Sequence, residues 1–358
     1  MNIISLSVKG VEYSGWQEVH VSKSMNSLSN SFSLAITDKY DGKLSLWDFR
    51  EGDLCEVKVD GKQVIKGYIE DMDIDHDYNS HSIVIAGRGV TCDLVDCSFY
   101  DDSTTWNNTQ LRTIVQHIAD KQGVSVVIDS DVLSDASTII PKYTAESTDT
   151  LLDLIVELCL HKAILPVGYG DGKLTLTRSG CKGECKDSLE LGYNILKGGL
   201  RMSDRDRFSH YKVVGQGSAS ENKSLFSTVA ASGTATDEVV SRTRKLAIGS
   251  DKVVDSGECI KFANWEATNR AGKSRSYIFE VQGWCQSIRF GGAVWDLNTL
   301  VKVNDSKLGV KDTLLISDLS FSKNLSEGTK TTIGVVHPDT YKSVEKPIKN
   351  IRTGWDGT

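Results

Sequence analysis

The sequence contains no run of about 18 consecutive apolar residues, the length that a helix needs to span a bilayer. Its first ten residues, MNIISLSVKG, also lack the basic segment followed by a long apolar stretch that is typical of a secretory signal. We therefore expect no membrane insertion and a chain that is made, and first folds, in the cytoplasm.

An excess of basic residues is also missing. The 41 Lys and Arg side chains are outnumbered by 48 Asp and Glu side chains, which gives a formal net charge of −7. Because binding to a phosphate backbone needs clustered cations, this balance argues against sequence-specific nucleic-acid binding. Only four prolines and eight scattered cysteines are present, so we expect neither a proline-rich disordered chain nor a disulfide-dense scaffold, and the thiols should be reduced.

The local motifs of common enzymes are absent as well. The chain has no G-x-S-x-G nucleophile elbow and no H-E-x-x-H zinc helix. We therefore predict a non-enzymatic protein with no catalytic residue and no cofactor. A pair of acids suited to glycoside hydrolysis stays open, because the separation of two carboxylates is decided by the fold and not by the sequence.

A run of alternating aspartates over residues 71–77 resembles the start of a calcium-binding loop. His76 stands where such a loop needs its turn glycine, and Ser82 stands where the bidentate glutamate belongs. The alternation instead predicts a strand whose aspartates face solvent while Met72 and Ile74 point inward.

Two other patterns are incomplete. Residues 272–274, Gly-Lys-Ser, end like a phosphate-binding loop, but Ala267 occupies the place of the first glycine and the preceding segment has helical spacing. Cys181 and Cys185 could begin a zinc site, yet no second pair follows at zinc-finger spacing. We predict no metal site, and whether these two thiols bind metal or oxidise to a disulfide is left open.

Three domains are expected from a chain of 358 residues and from its changes of hydrophobic period. Residues 1–104 alternate apolar and polar side chains, which predicts an N-terminal barrel-like β domain, with strands from 186–217 as candidates to complete it. Residues 105–180 predict a small α+β domain with two helices. Residues 181–358 predict a second barrel-like β domain with one helix at about 256–271 and a mobile loop at 218–236. The predicted fold class is mainly β with α+β.

An internal sequence similarity links the two predicted β domains. Residues 47–49, 57–60 and 68–72 are loosely matched, in the same order and with similar spacing, by residues 295–297, 301–304 and 315–319. The match favours a duplication of one β module, although two unrelated β-meanders can look alike.

Six side chains are candidates for packing or interface anchors. Tryptophan buries a large area and is enriched, with arginine, at binding hot spots. The candidates are Trp16, Trp47, Trp265, Arg270, Trp284 and Trp295.

Several strings resemble the Mu-like phage tail baseplate hub family, which is related to late-control protein D. They are residues 11–16 (VEYSGW), 27–34 (SLSNSFSL), 93–97 (DLVDC), 174–178 (LTLTR), 265–266 (WE), 270–272 (RAG) and 281–284 (VQGW). They occur in the order that the family shows, so the resemblance spans nearly the whole chain.

The resemblance implies a structural subunit of a contractile phage or prophage tail that acts in viral genome delivery. It implies two related β domains, a homotrimer that presents six similar units to a sixfold tail tube, and contacts with the spike and other baseplate proteins. The protein would be located in the virion, at the tail baseplate, after assembly in the bacterial host cytoplasm. The final residues contain no spike repeat or lysozyme-like extension, so we expect puncturing to belong to partners.

Two alternatives are kept. The chain could be a carbohydrate-active β-protein that uses scattered carboxylates, or a monomeric tail module that binds glycans on aromatic side chains. The oligomeric state distinguishes both from the hub.

Overall fold

The computed structural model describes residues 3–37, 49–76, 78, 81–101, 104–160, 162–215, 231–250, 256–286 and 292–342. The described residues are mostly strands with a few helices, which confirms the predicted mainly β fold class with an α+β part. None of the helices among them is both long enough and apolar enough to cross a bilayer.

The first part of the described chain consists of seven strands. They are β1 (Ile4–Val8), β2 (Val11–Ser14), β3 (Glu18–Ser24), β4 (Ser31–Thr37), β5 (Leu54–Val59), β6 (Lys62–His76) and β7 (His81–Gly89). The left-handed φ angles of Asp60 and Gly61 form the tight turn between β5 and β6, as the Asp-Gly pair predicts.

The middle part is a small α+β domain with its own core. Its elements are α1 (Cys92–Asp96), β8 (Thr104–Gln110), α2 (Leu111–Asp120), β9 (Val126–Ile128), a 3₁₀ helix (Ser130–Val132), α3 (Leu133–Ala136), β10 (Ile139–Ala145), α4 (Leu151–Leu160), β11 (Leu165–Gly168) and β12 (Leu174–Thr177). The apolar residues of α2 recur at helical spacing, and Leu111, Ile114, Val115 and Ile118 are all fully buried.

The last part returns to the β structure. Its elements are β13 (Leu189–Glu190), β14 (Ile195–Met202), β15 (His210–Gly215), β16 (Ser232–Thr236), β17 (Lys245–Ser250), α5 (Ser256–Lys273), β18 (Arg275–Gln282), β19 (Leu300–Asp305), β20 (Val310–Asn324), β21 (Gly328–Val336) and a 3₁₀ helix (Pro338–Tyr341). The predicted helix at about 256–271 therefore corresponds to α5.

Two units with the same strand order form most of the main sheet. The N-unit contains β3, β4, β5, β6 and β7, and the C-unit contains β14, β18, β19, β20 and β21. In each unit the first strand pairs with the second, the second with the fifth, the fifth with the fourth and the fourth with the third. The fourth strand of each unit also carries a bulge at the same step, between Ile69 and Asp71 in β6 and between Ile316 and Asp318 in β20.

The shared bulge fixes which residues of the two units are equivalent. Residues 68–72 align with residues 315–319, as the internal sequence similarity predicts. The match of 57–60 with 301–304 is two residues out of step, because Leu54 pairs with Tyr68 whereas Leu300 pairs with Leu315. Val57 is therefore the equivalent of Val303.

The barrel prediction is wrong for the described residues, among which the structure has no closed barrel. The two units instead share one open 13-stranded sheet, joined where β20 pairs with β3. Alternating side chains show that one face of each strand is buried, but they do not determine whether the sheet closes.

The expected completion of the N-terminal domain by residues 186–217 is also wrong. β13 pairs with β19 and β14 pairs with β18, both in the C-unit, while β15 lies in a separate three-stranded sheet with β16 and β17. This small sheet and α5 form their own core around Tyr211, Val213 and Cys259. The predicted mobile loop at 218–236 is wrong at its end, because Ser232–Thr236 is the strand β16, and residues 218–230 lie outside the described residues.

Candidate assembly interface

The junction between the N-unit and the C-unit is a six-residue antiparallel pairing of β20 with β3. Phe321 lies opposite Val21, and both side chains are fully buried. At the end of the pairing, the Ser24 hydroxyl donates a hydrogen bond of 2.6 Å to Oδ1 of Asp318. Apolar packing on one face and a polar contact at the end thus fix the register of the two units.

A cluster of charges lies beside this junction. Lys23 on β3 donates to Oδ1 of Asp296 at 3.2 Å, and Lys182 donates to Oδ2 of the same carboxylate at 2.5 Å. Burial alone would raise the pKa of Asp296, but the two lysines outweigh it and hold the pKa below its usual value. Burial lowers the pKa of Lys23, although Asp296 opposes this effect.

The α+β domain is attached to the same place by Asn298. The Asn298 side-chain amide donates to the hydroxyl of Tyr169 at 2.9 Å and to the carbonyl of Arg178 at 2.8 Å. The Lys182 ammonium lies 3.4 Å from the centre of the Tyr169 ring, a cation–π contact. A cavity of about 650 Å³ opens here, but its lining mixes lysines with aspartates and defines no single ligand class.

Three of the candidate tryptophans are packing residues. Trp16, Trp284 and Trp295 are each no more than 2% exposed and belong to the main core. The indole N–H of Trp284 donates to the carbonyl of Ser322 at 3.0 Å. The fourth candidate, Trp47, lies outside the described residues.

The remaining two candidates, Trp265 and Arg270, line a cleft of about 550 Å³ beside β14. Arg270 forms an ion pair of 2.7 Å with Glu266 and lies over the ring of Phe208, while Lys273 and Arg201 extend the basic lining. The buried indole nitrogen of Trp265 has no hydrogen-bond partner within the part of the chain that the structure describes. The cleft therefore combines basic side chains with the acids Asp206 and Glu266, and its one buried unpaired donor among the described residues is the Trp265 indole.

Cys181 and Cys185 have separate surroundings. The Cys181 thiol lies 3.2 Å from Oδ2 of Asp129, whereas the Cys185 thiol donates to Oγ1 of Thr299. Burial raises the pKa of both thiols, which favours the protonated form. Across the described ranges no group of three or more His, Cys, Asp or Glu side chains is arranged to hold a metal ion.

Sequence reasoning did not identify Lys23 and Asp296 as an interacting pair. One signal was available, because Val19, Val21 and Lys23 alternate along one strand and therefore share its inward face. A lysine at an inward position needs a buried partner, but nothing in the sequence identified Asp296 as that partner.

Three family models match consecutive parts of the chain. Residues 3–89 match the model described as Mu phage baseplate assembly protein GpP-like, N-terminal. Residues 91–178 match the second domain of baseplate hub protein gp44-like, and residues 257–344 match the fourth domain of Mu phage baseplate assembly protein GpP.

Whole proteins are similar over nearly the full length. The baseplate hub protein gp44 of Escherichia phage Mu is 29% identical, over 99% of this chain and 93% of its own length. The 43 kDa tail protein of prophage MuSo2 from Shewanella oneidensis has a TM-score of 0.81 at 28% identity, covering 95% of this chain and 99% of that one. A tail protein of Neisseria meningitidis MC58 shares the fold, with a TM-score of 0.81 at 17% identity, covering 97% and 99% of the two chains.

The fold and these similarities define a phage tail protein. More narrowly, the chain belongs to the Mu-like phage baseplate hub family and is a hub protein of the tail baseplate, a component of the virion.

Proposed function

We propose that three copies of this chain close into a ring that adapts a sixfold tail tube to a trimeric cell-puncturing spike in a contractile tail. The observation that carries the proposal is the presence of two matched five-stranded units in one polypeptide. Three copies supply six similar units, so a threefold ring can offer equivalent contacts to a sixfold tube on one side and to a threefold spike on the other.

The role is structural, and the ring assembles in the bacterial host cytoplasm before it joins the baseplate. The phage Mu relative is described as a baseplate hub protein. This description supports the proposal that the ring contacts the tube, the spike and other baseplate proteins. The ring would act as a rigid adaptor during genome delivery and would need neither a catalytic residue nor a cofactor.

The mass of the particle tests the ring directly. Sedimentation and native mass measurement over a range of concentrations are expected to give three chains per particle at high concentration. A strict monomer at every concentration would contradict the ring. A monomer that also bound soluble glycans would favour the alternative of a glycan-binding tail module.

A further inference from the structure

We propose that β6 of one copy pairs in antiparallel fashion with β14 of a neighbouring copy, with Asp73 facing Arg201. The inference rests on the proposed ring and names the two strand edges that hold it together. Both edges correspond to a pairing that the chain already makes within itself.

The model for the proposed interface is the pairing of β20 inside the chain, where both edges of the strand are covered. One edge pairs with β21, and the other pairs first with β19 and then, beyond the bulge, with β3. Residues 318–323 of the C-unit are thus covered by the first strand of the N-unit.

In the part of the chain that the structure describes, the equivalent edge of the N-unit has no covering strand. β6 pairs with β7 along one edge and with β5 along the other, but the pairing with β5 ends at Tyr68. Beyond the bulge, residues 71–76 have no strand on that side among the described residues. The described N-unit thus has the strand pairings of the C-unit but no strand in the covering position.

The strand that could cover this edge is the first strand of the C-unit, β14. It pairs with β18 in the same way that β3 pairs with β4, and its other edge meets no strand along residues 197–202 in the described structure. Within one chain this edge does not pair with β6, because six strands lie between β14 and β6 in the strand order of the described sheet. A second copy supplies the partner, and repeating the step gives a head-to-tail ring.

The equivalence of the two units fixes the register. Copying the β20–β3 pairing gives these facing residues across the interface: Asp71 with Ser203, Met72 with Met202, Asp73 with Arg201, Ile74 with Leu200, and Asp75 with Gly199.

One of these pairs repeats an observed contact with the same residue types. Within the chain, Ser24 donates to Asp318, and its hydroxyl accepts a hydrogen bond from the backbone N–H of Asn26. Ser203 makes the equivalent turn, accepting from the backbone N–H of Arg205 at 3.4 Å. Asp71 is the equivalent of Asp318, so a Ser203–Asp71 contact between copies would match the internal one.

The proposed interface would cover an apolar side chain, Ile74, that is exposed in the single chain. Ile74 was expected to point inward, but its side chain is 57% exposed, whereas its equivalent Phe321 is fully buried under β3. On β14, Met202 is 62% exposed. The proposed register places Met72 and Ile74 against Met202 and Leu200, which covers the apolar side chains of both edges.

The polar face is complementary in charge. Asp73 would lie opposite Arg201, and Asp75 would lie diagonally between Arg201 and Lys197. All four side chains are exposed in the single chain. A slip of one residue would put aspartates against the apolar face, so both faces select the same register.

A designed disulfide tests the register. Asp73 and Arg201 would be a pair without direct backbone hydrogen bonds, the closer kind in an antiparallel ladder, so Asp73→Cys/Arg201→Cys should cross-link under mild oxidation. We expect covalent oligomers of up to three chains on a non-reducing gel and a linked 73–201 peptide by mass spectrometry. The matched control is Ile74→Cys/Arg201→Cys, which places the thiols on opposite faces and should give at least tenfold less linked peptide.

The outcomes separate the two proposals. Trimers without the 73–201 link would overturn the strand pairing but leave the ring intact. Dimers from Asp73→Cys alone would show that the β6 edge pairs with itself and would also overturn it. A monomer at every concentration would overturn both proposals.

A charge swap gives an independent readout without cysteines. Asp73→Arg places two cations opposite each other and should weaken trimer formation roughly tenfold in the concentration needed. Asp73→Arg/Arg201→Asp should restore most of that loss. Equal weakening in the single and the double variant would contradict the facing pair.

Discussion

Lys23 and Asp296 are 273 positions apart in the chain, yet the Lys23 ammonium lies 3.2 Å from the Asp296 carboxylate. The Lys23 side chain is only 6% exposed, whereas the Asp296 side chain is 37% exposed and also binds Lys182. The pair connects β3 of the N-unit to the segment that leads into β19 of the C-unit. The effect of this ion pair on stability therefore tests the contact that holds the N-unit against the C-unit.

Replacing the carboxylate should cost more than replacing the lysine. Asp296→Asn leaves the buried Lys23 without an anion and should lower the free energy of unfolding by about 2 kcal/mol. Lys23→Met leaves Asp296 paired with Lys182 and should cost less. Urea unfolding of both variants measures the difference, with the exposed Asp312→Asn as the control. A larger loss in Lys23→Met than in Asp296→Asn would contradict this order.

The effect of Asp296→Asn should depend on pH. Because the folded-state pKa of Asp296 is lowered, its contribution is fully present above the unfolded pKa of about 4 and is lost as the pH falls through the folded value. The difference in unfolding free energy between the wild type and Asp296→Asn should therefore be largest near neutral pH and shrink below about pH 4. A difference that grows in acid would show that another group is responsible.

The local structure was predictable where a strong period coincides with a buried face. Leu151, Leu154, Ile155 and Leu158 lie at helical spacing and form the buried face of α4. The residue at the N-terminal cap of α2 could not be predicted from this hydrophobic period. Asn108 and Thr109 lie in β8, and the residue before the helix is Gln110, whose side chain makes no capping bond.

The sequence did not predict which distant strands pair with each other. The contact between Val21 and Phe321 joins opposite ends of the chain, and alternation along each strand says nothing about which strand lies beside it. The error at Ile74 has the same cause. Its alternation with Met72 correctly marks an apolar face, but the described chain provides no strand to cover it.

Gly272 in α5 is predicted to tolerate no side chain. A Cβ atom there would lie 2.1 Å from Oγ1 and 2.6 Å from Cβ of Thr340, in the 3₁₀ helix packed against α5. Gly272→Ala should therefore lower stability by about 1–3 kcal/mol, measured by urea unfolding. Gly249→Ala is the control, because nothing lies within 4 Å of its added Cβ, and should change stability by no more than ~0.5 kcal/mol.

The thiols should differ in reactivity according to burial. Burial raises the pKa of Cys55, Cys92 and Cys159 to about 12, and Cys259 is fully buried. Brief treatment of the native protein with N-ethylmaleimide should leave these four unmodified and label the partly exposed thiols first. The partly exposed thiols are Cys97, Cys181, Cys185 and Cys285. Peptide mapping measures this, and labelling of Cys159 at the rate of Cys97 would contradict the packing.

Arg207 and Asp237 form a buried ion pair between the segments that flank β15 and β16, and Arg207 also reaches the residue that follows α5. The Arg207 guanidinium donates to both oxygens of Asp237, at 2.6 and 3.1 Å, and also to the hydroxyl of Ser274 at 3.3 Å. The side chains are only 6% and 1% exposed. Asp237→Asn leaves a buried cation without its anion and should cost about 3 kcal/mol, measured by urea unfolding.

The double variant separates the pair from its surroundings. Arg207→Met/Asp237→Leu removes both charges, so it should cost less than the sum of the single changes, by at least about 1 kcal/mol. The exposed pair of Lys302 and Glu184 is the matched control, and Glu184→Gln should change stability by less than ~0.5 kcal/mol. Strict additivity of the Arg207 and Asp237 changes would mean that the two side chains do not stabilise each other, despite the distance between them.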